Sequence, residues 1–140
     1  MPVSDDDSLR ELLAVDRIAV VGCSSTPGKA AHEVPAYLQQ QGYEIVPVNP
    51  FADEILGETA VDSLSEVDGE IDLVDVFRPS EEVPEIAEAT IERKESVGDV
   101  EALWLQLGIS DDEAARKAEA AGLDVVQDRC LKIEHGRLTD

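Results

Sequence analysis

Gly22 to Lys29 reads Gly-Cys-Ser-Ser-Thr-Pro-Gly-Lys and holds the densest chemistry in the chain. It follows the apolar run Ile18–Val21 and leads into a helical pattern from Ala30. A helix that opens after a strand exposes backbone N–H groups without intrahelical partners. Its dipole adds about half a positive charge there, and phosphate binds such ends readily. Gly22 allows close backbone approach at the head of the Gly22-Cys23-Ser24-Ser25 turn. The hydroxyls of Ser24, Ser25 and Thr26 can donate to phosphate oxygens, Gly28 keeps the loop flexible, and Lys29 supplies a point charge.

The common nucleotide fingerprints do not fit this turn. Gly22, Ser24 and Pro27 occupy the three glycine positions of GxGxxG. A dinucleotide site also wants an acid about 20 residues on to hold the ribose diol, where this chain has Val48, Asn49 and Pro50. Gly28-Lys29 lacks the spacing and the following hydroxyl of a Walker A loop. NAD and ATP are both disfavoured.

Ligands of open α/β sheets bind at the carboxyl ends of the strands, which here read "NPF", "FRPS", "QLGI" and "QDRC". Asn49 can offer its amide to a ribose or adenine edge, or simply start a turn with Pro50. Phe77 precedes Arg78, which can fork onto a phosphate, stack on adenine, or pair with a surface carboxylate. Trp104 suits the core. Gln106 suits either a ligand contact or a loop-tethering hydrogen bond. Arg129 and Lys132 flank Cys130 and favour a thiolate, yet no base is in evident reach, and a buried inert thiol fits better.

These positions need elements to carry them. Leu9–Leu13 reads as a short helix capped by Asp7 or Ser8. Strands are expected at Ile18–Val21, Tyr43–Val48, Ile71–Phe77, Val100–Leu107 and Leu123–Val126, each a short apolar run of the kind covered on both faces. Ala30–Gln41 reads as a helix ended by Gly42, with Pro35 arguing for a start near His32. A turn and a short helix from Ser63 follow the second strand. Ser80 is expected to cap a helix running to about Ser96, and Ser110 the next, which Gly122 ends. Alternating strands and helices imply a parallel sheet with right-handed crossovers. The expected fold is α/β, a three-layer Rossmann-like domain with a five-stranded parallel sheet in order 3-2-1-4-5, its crevice where the order reverses beside strand 1. One domain is expected over residues 1–140, with a core from 9 to 135.

The chain carries 32 acidic and 11 basic residues, a formal net charge of −21. Such a surface repels nucleic acid and anionic lipid. The acids are spread along the chain, as in the solvated acidic shell of halophilic proteins, whose self-repulsion is screened when the Debye length falls to about 3 Å at 1 M salt. No apolar run approaches the ~20 residues of a membrane span. Met1–Ser8 has no signal-peptide character, so a cytoplasmic location is the default. Cys23 and Cys130 lie far apart with no sign of secretion, so no disulfide is expected. Neither they nor His32 and His135 make a metal-ligand spacing.

The motifs "VVGCSSTPGK", "GYEIVPVNP", "DLVDVFRPSEEVPEI", "LWLQLGI" and "GLDVVQDRCLKIEH", in that order over Ile18–His135, resemble the small stand-alone coenzyme A-binding protein family. Its members are similar to the N-terminal domain of the succinyl-CoA synthetase alpha subunit. The resemblance implies a Rossmann-type domain that binds coenzyme A. By similarity, Gly22, Ser24 and the turn through Lys29 would meet the phosphates. Asn49 and Pro50 would line the nucleotide side, with Phe77 and Arg78 across the crevice. Gln106 and Cys130 would lie toward the pantetheine arm. Two positions depart from the family: Lys29 stands where arginine is common, and His32 where a small or aromatic residue is usual. The ligand's chemistry agrees, since a pyrophosphate and a 3′-phosphate want a helix N-terminus plus separate cations, and an acid after strand 2 would repel the 3′-phosphate.

The synthetases' phosphohistidine loop and further domains have no counterpart in 140 residues, so non-catalytic binding of CoA or an acyl-CoA is the expectation. Two alternatives stay open: a regulatory or subunit-like module with a vestigial site, and a thioester-handling enzyme using Cys130. A homo-oligomer or protein partner also stays open.

Overall fold

The computed structural model describes residues 2–139. Helix α1 (Asp6–Leu13) leads into β1 (Arg17–Val21), α2 (Ala30–Gln40) and β2 (Glu44–Val48). A small hairpin, β3 (Glu54–Ile55) and β4 (Glu58–Thr59), and a 3-10 turn at Leu64–Glu66 connect to β5 (Leu73–Val76). A second 3-10 turn (Ser80–Glu82) runs into α3 (Val83–Val97). Then come β6 (Ala102–Leu105), α4 (Asp112–Ala120), β7 (Asp124–Val126) and α5 (Leu131–Leu138).

β2, β1, β5, β6 and β7 form one parallel sheet in that order. Alternating residues feed two cores. Ile18, Val20, Leu73, Ala102 and Trp104 pack under α1, α2 and α5, through Leu9, Leu12, Val34, Leu38 and Leu131. Ala19, Val74, Val76, Leu103 and Leu105 pack under α3 and α4, through Val83, Ala87, Ala114, Ala115 and Ala118. The expected three-layer α/β class holds. Numbering only the five sheet strands, however, the order is 2-1-3-4-5 and not 3-2-1-4-5.

Two sets of contacts account for the difference. The place beside β2 is taken by the return from the hairpin: Val61 bridges Val48, and Asn49 N donates to Val61 O at 2.8 Å. The start of β5 is fastened to β1 instead. Asp72 Oδ2 accepts from Asp16 N and Arg17 N, both at 3.0 Å, and Arg17 Nη1 donates to Asp68 O at 2.6 Å and Glu70 O at 3.1 Å. The order still reverses beside β1, now between β1 and β5, so the crevice is expected at their carboxyl ends.

The caps fall on other residues than the expected Asp7 or Ser8, Ser80 and Ser110. Asp5 caps α1 by accepting from Ser8 N at 3.0 Å. Asp111 caps α4 by accepting from Ala114 N at 2.9 Å. Ser80 Oγ caps no helix and accepts from Ser110 N at 3.1 Å, so one expected cap holds the other. No helix among the described residues is long and apolar enough to cross a membrane.

Candidate functional site

A cavity of about 600 Å³ opens at the carboxyl ends of β1, β2 and β5. Its walls are the Gly22–Thr26 turn with Lys29, the Asn49–Ala52 loop, and Phe77, Arg78, Glu82 and Ile86. Of the expected site residues, Gly22, Cys23, Ser24, Ser25, Lys29, Asn49, Pro50, Phe77 and Arg78 all line it. The volume lies in the range of small-molecule sites. A second cavity, about 390 Å³, lies between α3 and α4. Glu88, Asp111 and Glu113 outnumber the single cation Lys117 in its lining, and no strand-end turn reaches it.

The start of α2 faces this crevice without a side-chain cap, and the capping position is Lys29, in extended conformation. Among the described residues Lys29 makes no ion pair. Pro35 lies inside α2 and has no N–H to give to the carbonyl of Ala31, four residues back. Ser24 N takes that carbonyl at 2.9 Å. The ring of His32 donates through Nδ1 to Ser24 O at 2.7 Å, since a carbonyl can only accept. Both backbone groups of Ser24 are thus clamped to α2. Its hydroxyl accepts from Thr26 N at 3.0 Å, which tightens the turn.

Gly22 has φ +86°, and a Cβ there would lie 2.7 Å from Arg78 Cδ. Only glycine lets the Arg78 stem lie against the turn. Asn49 joins the two walls: Nδ2 donates to Cys23 O at 2.8 Å, and Oδ1 accepts from Phe51 N at 2.8 Å. Of the two readings of this amide the turn former holds, through the bond to Phe51 N, and the bond to Cys23 O makes it a fastener as well. Arg78 is paired, as the carboxylate alternative had it: its Nε donates to Glu82 Oε1 at 3.1 Å and Nη2 to Glu82 Oε2 at 2.7 Å. This bond raises the Arg78 pKa and lowers that of Glu82.

Cys23 touches the crevice beside Ser24, but the residue is fully buried. Burial, with a further contribution from the Asp75 carboxyl, pushes its thiol up to about 12. Gln106 and Cys130 do not line the cavity. Gln106 is buried, and its Oε1 accepts from Leu131 N at 3.0 Å, the loop-tethering alternative. Cys130 stands at the head of α5, half-buried against the core below α1 and α2. Trp104 is fully buried, its indole N–H donating to Arg129 O at 2.8 Å.

Sequence reasoning did not single out Phe51, Asp62, Glu82 or Ile86, all of which line the cavity. Phe51 is 95% exposed at the rim. Its signal was available, since an aromatic directly after Asn-Pro at a strand end has no core to enter. Glu82 was also readable, four residues after Arg78 on an opening helix turn. Asp62 and Ile86 reach the crevice only through the fold and carry no local signal.

A strand-turn-helix with an uncapped helix start, at the reversal point of a doubly wound sheet, defines a Rossmann-like domain with an open crevice. The chain belongs to the CoA binding domain family, which residues 16–136 match. It is 45% identical over 119 residues to the Bacillus subtilis (strain 168) protein YneT, covering 85% of this chain and 84% of that one. A solved Thermus thermophilus structure superposes with a TM-score of 0.89 at 39% identity, over 97% of this chain and all of the other. Acetate–CoA ligase [ADP-forming] II of Archaeoglobus fulgidus is 36% identical over 80 residues, 56% of this chain but 12% of the ligase.

Proposed function

We propose that the crevice binds coenzyme A, or an acyl-CoA, and that the chain performs no chemistry of its own. The carrying observation is one cavity that joins the uncapped start of α2, the cations Lys29 and Arg78, and the end of β2 at Asn49. A pyrophosphate suits the exposed main-chain N–H groups, and separate cations suit a separate 3′-phosphate. Asn49, bonded to both walls, stands at the end of β2, where a nicotinamide dinucleotide site would place its acid. Membership of the CoA-binding family supports the same ligand. Cys23 offers no nucleophile at neutral pH, and neither histidine lies in the crevice lining.

The acidic surface fits a concentrated-salt interior, and a cytoplasmic setting is proposed with it. Titration calorimetry in concentrated salt with CoA, dephospho-CoA and NAD tests the reading. CoA should bind most tightly and NAD least. No heat from CoA, or a preference for NAD, would end it. The alignment with a small part of a longer CoA ligase favours a second reading, a module whose site works only beside a partner. That reading predicts no CoA binding by this chain alone and recovery when the partner is added.

A further inference from the structure

The Arg78–Glu82 pair sits in the lining of the proposed ligand crevice and not on an outer face. It is bidentate, and it uses Nε and Nη2, one fork of the guanidinium with which a phosphate would pair. The side chains are 48% and 43% exposed, so the pair contributes little to stability and opens at small cost. Glu82 holds the capping position of α3, yet its carboxylate caps nothing and reaches back to Arg78 instead. Gly22, by having no Cβ, lets the Arg78 stem lie against the head of the turn. The arginine is therefore aimed into the anion site by the backbone, while an acid of the same chain occupies its fork.

Resting on the CoA reading, we infer that Glu82 is a built-in competitor at the anion site. It holds the Arg78 fork until the phosphomonoester of the ligand displaces it. A singly charged pyrophosphate oxygen would replace one carboxylate charge by another and gain little. A terminal phosphomonoester carries about −1.5 to −2 charges at neutral pH and presents three acceptor oxygens, so the exchange favours it. Glu82 thus holds down the affinity for a monoester-bearing ligand through Arg78.

The test titrates CoA and dephospho-CoA against the parent, Glu82→Gln, Arg78→Ala and the double variant, in one concentrated-salt buffer, after circular dichroism has shown each to be folded. Glu82→Gln should bind CoA roughly tenfold tighter, while dephospho-CoA, which has no monoester to exchange, should stay within about twofold of the parent. In the Arg78→Ala background the same change should move CoA affinity by less than about twofold. Equal tightening for both ligands overturns the assignment of the monoester as the displacing group. A gain that survives without Arg78 overturns the exchange and leaves only relief of repulsion. Unchanged or weaker CoA binding by Glu82→Gln also overturns it. If the folded parent and Glu82→Gln both fail to bind CoA, the ligand reading itself falls. If the parent binds CoA and Glu82→Gln behaves like it, only this inference does.

Discussion

Asp75 lies mid-strand in β5 with no solvent exposure, and neither carboxylate oxygen has a hydrogen-bond partner among the described residues. Its register neighbours are Val20 on β1 and Trp104 on β6. Burial pushes its pKa well above the ordinary carboxylate value; the Val76 N–H offsets part of this without making a hydrogen bond. The folded chain therefore keeps this proton at a pH where the unfolded chain, with an Asp pKa of about 3.9, has lost it. The sign follows from linkage. Stability from this group is fully present below about pH 3.9 and is lost as pH rises toward the folded pKa. In that window the native state binds one more proton, so stability falls by about 1.4 kcal/mol per pH unit.

Asp75→Val removes this dependence together with an unpaired buried polar group, itself a cost of about 1–3 kcal/mol. The variant should be more stable than the parent at pH 7, with a margin that shrinks on acidification, by about 1.4 kcal/mol per unit once the pH is below the raised pKa of Asp75. At about 4 °C in Tm per kcal/mol for a domain of this size, the difference is easily read. Asp75→Asn serves as the control, since it cannot ionise but keeps the unpaired polar atoms. It should flatten the pH slope without the full gain. The assay is parallel thermal melts from pH 4.5 to 8 in one concentrated salt, where the surface carboxylates are screened alike and cancel in the difference. The Cys23 thiol, at about 12, does not titrate in this range. If Asp75→Val is less stable than the parent at every pH, or if the difference is flat with pH, the reasoning is wrong.

Lys29→Ala should weaken CoA binding by about 1–3 kcal/mol, the worth of a charge-assisted bond; calorimetry giving the parent affinity would remove Lys29 from the site. Arg93 and Asp99 form a salt bridge with side chains 5% and 4% exposed, and Arg93 also donates to Leu64 O, Val67 O and Gly69 O. Arg93→Met strands Asp99 and those carbonyls and should cost about 3–5 kcal/mol, measured by urea unfolding; a loss under 1 kcal/mol would mean that solvent already reaches the pair. Only Cys130 should react with a thiol reagent in the native state, Cys23 joining after denaturation, since Cys23 is fully buried with its thiol at about 12; two fast native thiols would contradict the placement. Cys130→Ser should leave CoA affinity within about twofold, because Cys130 is outside the crevice lining.

The parts of this molecule readable in advance are those made by contiguous residues. Five short apolar runs marked the five sheet strands, and glycine, hydroxyls and lysine in one turn marked the crevice. Strand order was not readable, because a β-run announces a strand but not its neighbour. The neighbour of β5 is chosen by Asp72 and Arg17, which act across 55 residues and between different elements. The last helix, α5, was missed because "LKIEHGRL" has only a weakly segregated apolar face and a glycine inside it. Pro35 shows how a local rule can mislead where a site is built. On propensity alone it argued for a helix beginning at His32, yet α2 begins at Ala30. The carbonyl that the proline leaves without its helical donor is the one that holds Ser24. A residue that weakens the helix therefore positions the turn in front of it, and that exchange appears only when both segments are in place. Asp75 makes the same point in the opposite direction. Within "DLVDV" the alternation simply buries it, and nothing local says that the fold provides it no partner.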